Sequence, residues 1–227
     1  MNGNIGNDYG FSGRILDASI NITKEFKIKN LTTEISHTRK DSANLFNIAI
    51  KKGSLLDFDL TDSVFELKRD NNETEVKSLL KTKGDFNFTN VKKISSLLNF
   101  NINNIKNIEG KTDLKINVDF KLNKNYRIKN LVYLIEGEIP YSEIYFNEKK
   151  IIKKYLPIYK DTITLKDSKI NLIKTNSSST IELNGFMKTN NEFDNFNLKQ
   201  IYDSNKKSFN IVGKADLTNS VVNIAKL

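Results

Sequence analysis

The sequence has no cysteine and no tryptophan, and its 227 residues include only one histidine and two prolines. Without cysteine the chain cannot form disulfides, zinc–thiolate sites, iron–sulfur clusters or a cysteine nucleophile. A single histidine also excludes metal sites that need several imidazole ligands. The composition therefore gives no reason to expect a metal or another cofactor.

Long apolar runs are missing as well. The longest contain four or five residues, whereas a membrane-spanning helix needs roughly 20, and the N-terminus lacks the basic and apolar regions of a signal peptide. We expect a flexible segment over residues 1–10 and one β-structured segment over residues 11–227. Because both ends have the pattern of the interior of a β-array, we also expect the chain to be part of a longer protein.

Catalytic motifs are the third absence. The sequence contains neither a Gly-x-Ser-x-Gly elbow nor a glycine-rich phosphate-binding loop. His37 lies in a polar, turn-like stretch, so we predict that it is exposed to solvent and has no function. Asp57 and Asp59 would face the same way on a strand, as a glycosidase or cation site requires, but the polar side of any amphipathic strand has this pattern. We predict that the chain is not an enzyme.

Positive charge is in excess, because 36 lysines and arginines outnumber 27 acidic residues and give a net charge of +9. A basic protein can bind the phosphates of nucleic acid or of anionic lipid. Here lysine is spread along the chain, and about one residue in seven is asparagine, a composition typical of AT-rich genomes. Nucleic-acid binders concentrate basic and aromatic residues on one face, and Tyr133 and Tyr141 do not form such a stripe. We expect no nucleic-acid partner.

Alternation of apolar and polar residues dominates the rest of the sequence. Over Thr112–Leu122 every second residue is aliphatic or aromatic, and shorter stretches such as Leu56–Leu60 repeat the pattern. A period of two predicts half-buried antiparallel strands, and the polar clusters between them predict turns, so consecutive strands should pair as a meander. We therefore predict a mainly β fold: a long, twisted, curled antiparallel sheet in the form of a groove, with one or two short helices.

Three features depart from simple alternation. Apolar residues recur at helical spacing after Thr89–Asn90, a pair that fits an N-cap, and predict a short amphipathic helix over Asn90–Asn99. The basic stretch Asn147–Pro157 lies between the two prolines, and we predict that it is the main irregular connection. A shared Gly-Lys-x-Asp-Leu pattern at Gly110–Leu114 and Gly213–Leu217 is interpreted as the start of a strand in each of two similar, successive sheets.

The apolar faces of the predicted strands can be buried in two ways. If two sheets pack face to face, the chain is a sandwich and the apolar residues form a closed core. If one sheet curls on itself, they line an open groove that needs an occupant such as an acyl chain. The residues that would line this groove by apolar contact are Leu56, Phe58, Leu60, Phe65, Leu67, Leu114, Ile116, Val118, Phe120, Ile181, Leu183, Phe209 and Ile211.

Six stretches follow one another as a strand, a short helix, a glycine-led strand and further strands: Gly84–Thr89, Lys92–Leu98, Glu109–Ile116, Leu165–Leu172, Ile181–Gly185 and Val212–Asn219. This order resembles the central region of AsmA-like proteins, in particular the YhdP type, and the resemblance covers most of residues 11–227. Its motifs are patterns of glycine and alternating aliphatic residues.

The resemblance implies a lipid-transfer role. AsmA-like proteins of Gram-negative bacteria are anchored in the inner membrane by one N-terminal helix, extend across the periplasm in repeated β-groove units, and are implicated in moving phospholipids to the outer membrane. We therefore expect a periplasmic segment that carries phospholipid acyl chains between the inner and outer membranes in outer-membrane biogenesis. The chain differs from the family in lacking the anchor and most of the length, so attachment to the inner membrane would use a segment outside this chain. The alternative is a structural or adhesive β-sandwich domain of a cell surface, with a closed core.

Overall fold

The computed structural model describes residues 8–22, 24–40, 43–70, 73–98, 101–125, 127–147, 153–154, 156–159 and 161–219. These residues form twelve β-strands and an eleven-residue α-helix. In chain order the elements are β1 (Tyr9–Asn21), β2 (Lys27–Lys40), β3 (Ala43–Leu55), β4 (Phe58–Asp59), β5 (Ser63–Asp70), β6 (Glu73–Asn87), α1 (Phe88–Leu98), β7 (Ile105–Leu122), β8 (Ile128–Phe146), β9 (Thr162–Lys174), β10 (Ser178–Lys188), β11 (Phe193–Asp203) and β12 (Ser208–Asp216).

The strands belong to one antiparallel sheet whose order follows the chain. β5 pairs with β3 and β6, and the two-residue strand β4 extends the pairing of β3. Among the described strands, β1 and β12 are the two ends of this order. The predictions of a mainly β chain, a large antiparallel sheet and meander connectivity are confirmed. The first strand begins at Tyr9, inside the segment that was expected to be flexible.

The residues group into two compact units, although the sheet order is continuous. Both units take residues from several stretches of the chain. Unit 1 comprises Met1–Thr82, Leu114–Ile135 and Ile173–Ser179, and unit 2 comprises Lys83–Asp113, Glu136–Leu172 and Thr180–Leu227.

The strands are two-faced, as β7 illustrates within unit 1. Ile116 and Phe120 are half-buried, whereas Lys115 and Asp119 on the opposite face are exposed. Because successive side chains point to opposite sides of a strand, this alternation gives the sheet one apolar and one polar face. The prediction for this stretch is confirmed, and the strand begins seven residues earlier than the alternation over Thr112–Leu122 indicates.

The helix α1 forms in the predicted region but starts two residues earlier. The side-chain oxygen of Asn87 accepts a hydrogen bond from the backbone N–H of Asn90 at 3.0 Å. This bond satisfies one of the free N–H groups of the first helical turn, so Asn87 is the N-cap. The expected cap at Thr89–Asn90 is wrong, because both residues already lie inside the helix.

Three further expectations about local structure are wrong. Leu56 and Asp57 are not part of an alternating strand: they form the two-residue turn between β3 and β4, with φ of 50° and 68°. Asp57 therefore does not share a strand face with Asp59. Gly110 and Gly213 lie inside β7 and β12 rather than at strand starts.

The predicted irregular connection Asn147–Pro157 falls mostly outside the described residues. Asn147 follows β8, and Lys153–Lys154 have helical geometry. Residues 148–152 and 155 lie outside the described part of the chain.

Candidate functional site

The apolar face of unit 1 is organised in rows that cross β2, β3 and β5. Residues in register on adjacent strands share a face, so each row places three side chains next to one another. We number the rows from the middle of β2 toward its end at Lys40. Row 1 is Thr33, Ile50 and Ser63; row 2 is Ile35, Ile48 and Phe65; row 3 is His37, Phe46 and Leu67; row 4 is Arg39, Asn44 and Arg69.

A small closed core forms at the row 1 end of this face. Ile28, Leu31, Ile50 and Leu60 are all buried and pack together, and Phe65 of row 2 contacts this cluster. Beyond row 1 the large apolar side chains of rows 2 and 3 are half-buried. The small closed core therefore occupies only part of the apolar face.

The most deeply buried side chains on the strands are small alcohols. In unit 1 Ser63 is 0% exposed, and its hydroxyl accepts from the N–H of Lys81 at 3.0 Å and lies 3.3 Å from the carbonyl oxygen of the same residue. In unit 2 Ser142 and Ser168 are equally buried and donate to backbone carbonyl oxygens. Because these alcohols are small and satisfied by the backbone, the deepest positions of the sheet add little apolar contact.

Unit 2 also has half-buried and exposed apolar side chains. On β10, Ile181 and Leu183 are half-buried. On β12, Phe209 and Ile211 are 65% and 62% exposed, and the ring centroid of Phe209 lies 4.6 Å from that of Tyr202 on β11. Much of the apolar surface of β12 therefore has no covering layer among the described residues.

The thirteen residues predicted to line a groove divide by unit and by burial. Nine lie in unit 1 and four in unit 2. Only Leu60 is buried; it belongs to the closed core, and Leu56 lies in a turn. The half-buried residues are Leu56, Phe58, Phe65, Leu67, Leu114, Ile116, Val118, Phe120, Ile181 and Leu183, and the exposed ones are Phe209 and Ile211.

The opposite face of the sheet carries ion pairs between neighbouring strands. In unit 1 Glu34 contacts Arg14 at 2.7 Å and Lys51 at 3.1 Å, and Lys121 contacts Glu75 at 2.8 Å. Hydrogen bonds from Arg14 and then Lys51 lower the pKa of Glu34, and the hydrogen bond with Glu75 raises the pKa of Lys121. These exposed, paired charges identify the water-facing side of the sheet.

His37 is the clearest departure from the sequence prediction, because it is buried and lies within β2. It is only 5% exposed, and its ring centroid lies 5.6, 5.0 and 4.4 Å from those of Tyr9, Phe11 and Phe46. Its Nε2 is 3.1 Å from the side-chain oxygen of Asn44. The polar sequence around His37 hid this environment, since the aromatic rings come from β1 and β3.

A second polar cluster that the sequence prediction missed lies on β8 in unit 2. Tyr141 and Tyr145 donate hydrogen bonds to the two carboxylate oxygens of Glu143. The bond from Tyr141 is the main cause of the lowered pKa of Glu143, and the same bond raises the pKa of Tyr141 to about 12. Residues two apart on a strand point to the same side, so the spacing of Tyr141, Glu143 and Tyr145 could have indicated this cluster from the sequence.

The described residues contain neither a membrane-spanning helix nor a cluster of metal ligands. No helix in the described ranges is both long and apolar enough to cross a membrane. No group of three or more His, Cys, Asp or Glu side chains within those ranges is arranged to hold a metal ion.

No family model matches the chain, and no curated protein or solved structure compared with it is similar enough to count as a match.

Proposed function

We propose that the chain is a segment of an AsmA-like lipid carrier and that its apolar faces bind the acyl chains of phospholipids. The role is binding and transport without a chemical step. One observation supports it most directly: of the thirteen apolar residues considered, only Leu60 is buried, whereas ten are half-buried and two are exposed.

The two uses of an apolar sheet face differ in how far its residues are buried within the chain. In a closed sandwich they would be core residues, and each would contribute about 1.5–3 kcal/mol by being removed from water. On β7 the residues Ile116 and Phe120 obtain only part of that contribution within the chain. An acyl chain lying against them would supply the missing apolar contact, while the ion-paired face stays in water.

The cellular setting is part of the same proposal. On the strength of the resemblance to AsmA-like proteins, we propose that the chain lies in the periplasm, is attached to the inner membrane through another part of the protein, and helps to move phospholipid to the outer membrane. Phospholipid is the proposed ligand, and the two membranes are its source and destination.

Photocrosslinking with a phospholipid that carries a diazirine in one acyl chain tests the proposal. After reconstitution and irradiation, peptide mapping should find crosslinks on the apolar side of the sheet, for example at Phe65, Leu67 and Ile116. The polar-face residues Glu66 on β5 and Lys115 on β7, which lie on the same strands, serve as internal controls. A closed sandwich predicts no crosslinks at Phe65, Leu67 or Ile116, and that result would reject the proposal.

A further inference from the structure

Row 4 of unit 1 ends the apolar face with two arginines. Arg39 on β2 and Arg69 on β5 are each in register with Asn44 of β3, so all three share the apolar face with rows 2 and 3. Adjacent strands are about 4.8 Å apart, which puts the two arginine Cα atoms about 10 Å from each other. Side chains of this length can reach one anion held between them.

Two nitrogen atoms at this place are buried and lack hydrogen-bond partners. The imidazole of His37 is only 5% exposed, and its Nδ1 has no hydrogen-bond partner. The Nε atom of Arg39 has none either. Native proteins rarely leave buried polar atoms unsatisfied, because each loses its hydration without compensation. A ligand that accepts hydrogen bonds would satisfy Arg39 Nε, which can only donate.

The nearby carboxylates do not neutralise the arginines. Asp70, Glu73 and Glu75 alternate onto the opposite face, where Lys121 pairs with both glutamates at 3.7 and 2.8 Å. Among the described residues, no ion pair joins a carboxylate to Arg39 or Arg69. The Arg39 guanidinium lies over the ring of Tyr9, 6.0 Å from its centroid, but within the described residues neither arginine has a carboxylate partner.

We propose that Arg39 and Arg69 bind the phosphate of an acyl lipid's head group beside His37, with the acyl chain lying along rows 3 and 2. This inference rests on the proposed function and adds the position and chemistry of the head group. The planar guanidinium fork matches the geometry of phosphate oxygens better than other cationic side chains do.

Rows 3 and 2 give the acyl chain its contact surface next to this charge. Phe46 and Leu67 follow the arginine row directly, and Ile48 and Phe65 come next. All four are half-buried. Unit 1 would therefore contact the lipid phosphate through row 4 and the acyl chain through rows 3 and 2.

Binding of dodecyl phosphate to the full chain, measured by isothermal titration calorimetry below micelle-forming concentrations, tests the inference. Dodecyl maltoside provides the same chain without charge, and dodecanoate provides a carboxylate. We expect dodecyl phosphate to bind at least about tenfold more tightly than dodecyl maltoside, as charge-assisted hydrogen bonds require. The double variant Arg39→Gln, Arg69→Gln should lose this preference and keep its affinity for dodecyl maltoside, which also reports that it is folded.

The matched control removes two cations from the other face. Arg14→Gln combined with Lys51→Gln makes the same change in net charge and should keep the preference for phosphate. Equal binding of the charged and neutral ligands by the unmodified chain, or loss of preference in the control variant, would overturn the phosphate site. Dodecanoate binding as tightly as dodecyl phosphate would overturn the choice of phosphate. Failure of all three ligands to bind would instead overturn the proposed function, and this inference with it.

The single histidine gives a second readout that needs no variant. Its imidazole is the only one in the chain, so its nuclear magnetic resonance signals are assigned without ambiguity. Titration with dodecyl phosphate should shift these signals more than dodecyl maltoside does at equal saturation. Equal shifts with both ligands would show that the head group does not contact His37, which contradicts the site.

Discussion

Gly110 on β7 and Ser142 on β8 approach each other so closely that no side chain fits at the glycine. A Cβ atom built on Gly110 would lie 2.8 Å from the Cα of Ser142 and 2.4 Å from the carbonyl oxygen of Tyr141. Both distances involve backbone atoms, so the clash cannot be relieved by rotating a side chain. Glycine at this position allows the two strands to pair within unit 2.

Gly110→Ala should therefore destabilise the chain by about 1–3 kcal/mol, the usual cost of overpacking. Gly213→Ala is the matched control, because it lies in the same Gly-Lys-x-Asp-Leu pattern and its nearest neighbour is a Leu198 side-chain carbon at 3.6 Å. We expect the control to change stability by less than about 0.5 kcal/mol. Urea denaturation followed by circular dichroism measures both, and equal effects would show that the close approach is not the cause.

The N-cap of α1 gives a prediction about local stability. Asn87→Ala removes the oxygen that accepts from the N–H of Asn90 and should cost about 1 kcal/mol. Asn87→Asp keeps an acceptor and places a negative charge near the positive end of the helix, so it should be neutral or stabilising. Thermal unfolding of the three proteins checks the order; an alanine variant as stable as the aspartate variant would contradict the cap.

The tyrosine pair around Glu143 should be visible in an alkaline titration. The hydrogen bond to Glu143 raises the pKa of Tyr141 to about 12. The pKa values of Tyr133, Tyr145 and Tyr159 are raised as well. Absorbance of the phenolate at alkaline pH should therefore show a late component that loses one tyrosine in Tyr141→Phe. In Glu143→Gln the acceptor carries no charge, so Tyr141 should ionise at lower pH. A titration unchanged by either substitution would contradict the assignment.

The same hydrogen bonds imply a loss of stability in acid. Because the pKa of Glu143 is lowered in the folded chain, its contribution is present above the ordinary glutamate pKa and is lost as pH falls through the lowered value. The difference in urea midpoint between the unmodified chain and Tyr141→Phe should shrink as pH falls through that range. A difference that grows toward low pH would contradict the sign.

The strands could be predicted from the sequence where alternation is long and regular. Thr112–Leu122 gave both the strand and its apolar face, because burial of one face imposes a period of two on the sequence. The strand predicted over Leu56–Leu60 was wrong for a physical reason. A two-residue turn with positive φ normally has Asn, Asp or Gly, so leucine at the first position does not indicate a turn. The helix start was missed because a single asparagine side chain, at Asn87, decides where it begins.

The candidate site was predictable only in part. Apolar residues on β7 could be named from the pattern, but row 4 depends on three strands meeting in register. Arg39 and Arg69 are 30 positions apart in the sequence, and nothing local indicates that Asn44 lies between them. His37 was misjudged because its burial is created by Tyr9 and Phe46 on the two neighbouring strands.

Matched lysine substitutions on β7 test which face of the sheet contacts lipid. Ile116→Lys puts a charge on the apolar face and should weaken binding of a fluorescent fatty acyl probe on the order of tenfold or more, because an unpaired charge next to an acyl chain is costly. Asn117→Lys makes the same change in charge one position along, on the polar face, and should alter binding less than about twofold. Circular dichroism verifies that both variants keep their strands. Equal loss in both would show that the effect is not specific to one face.

Native mass spectrometry of the unmodified chain, recorded after incubation with phospholipid vesicles and their removal, tests the central claim most directly. If the apolar faces bind acyl chains, the spectrum contains protein carrying phospholipid, and the bound mass matches the lipid supplied. A spectrum that contains only lipid-free chain, after incubation with both anionic and zwitterionic vesicles, would contradict the claim.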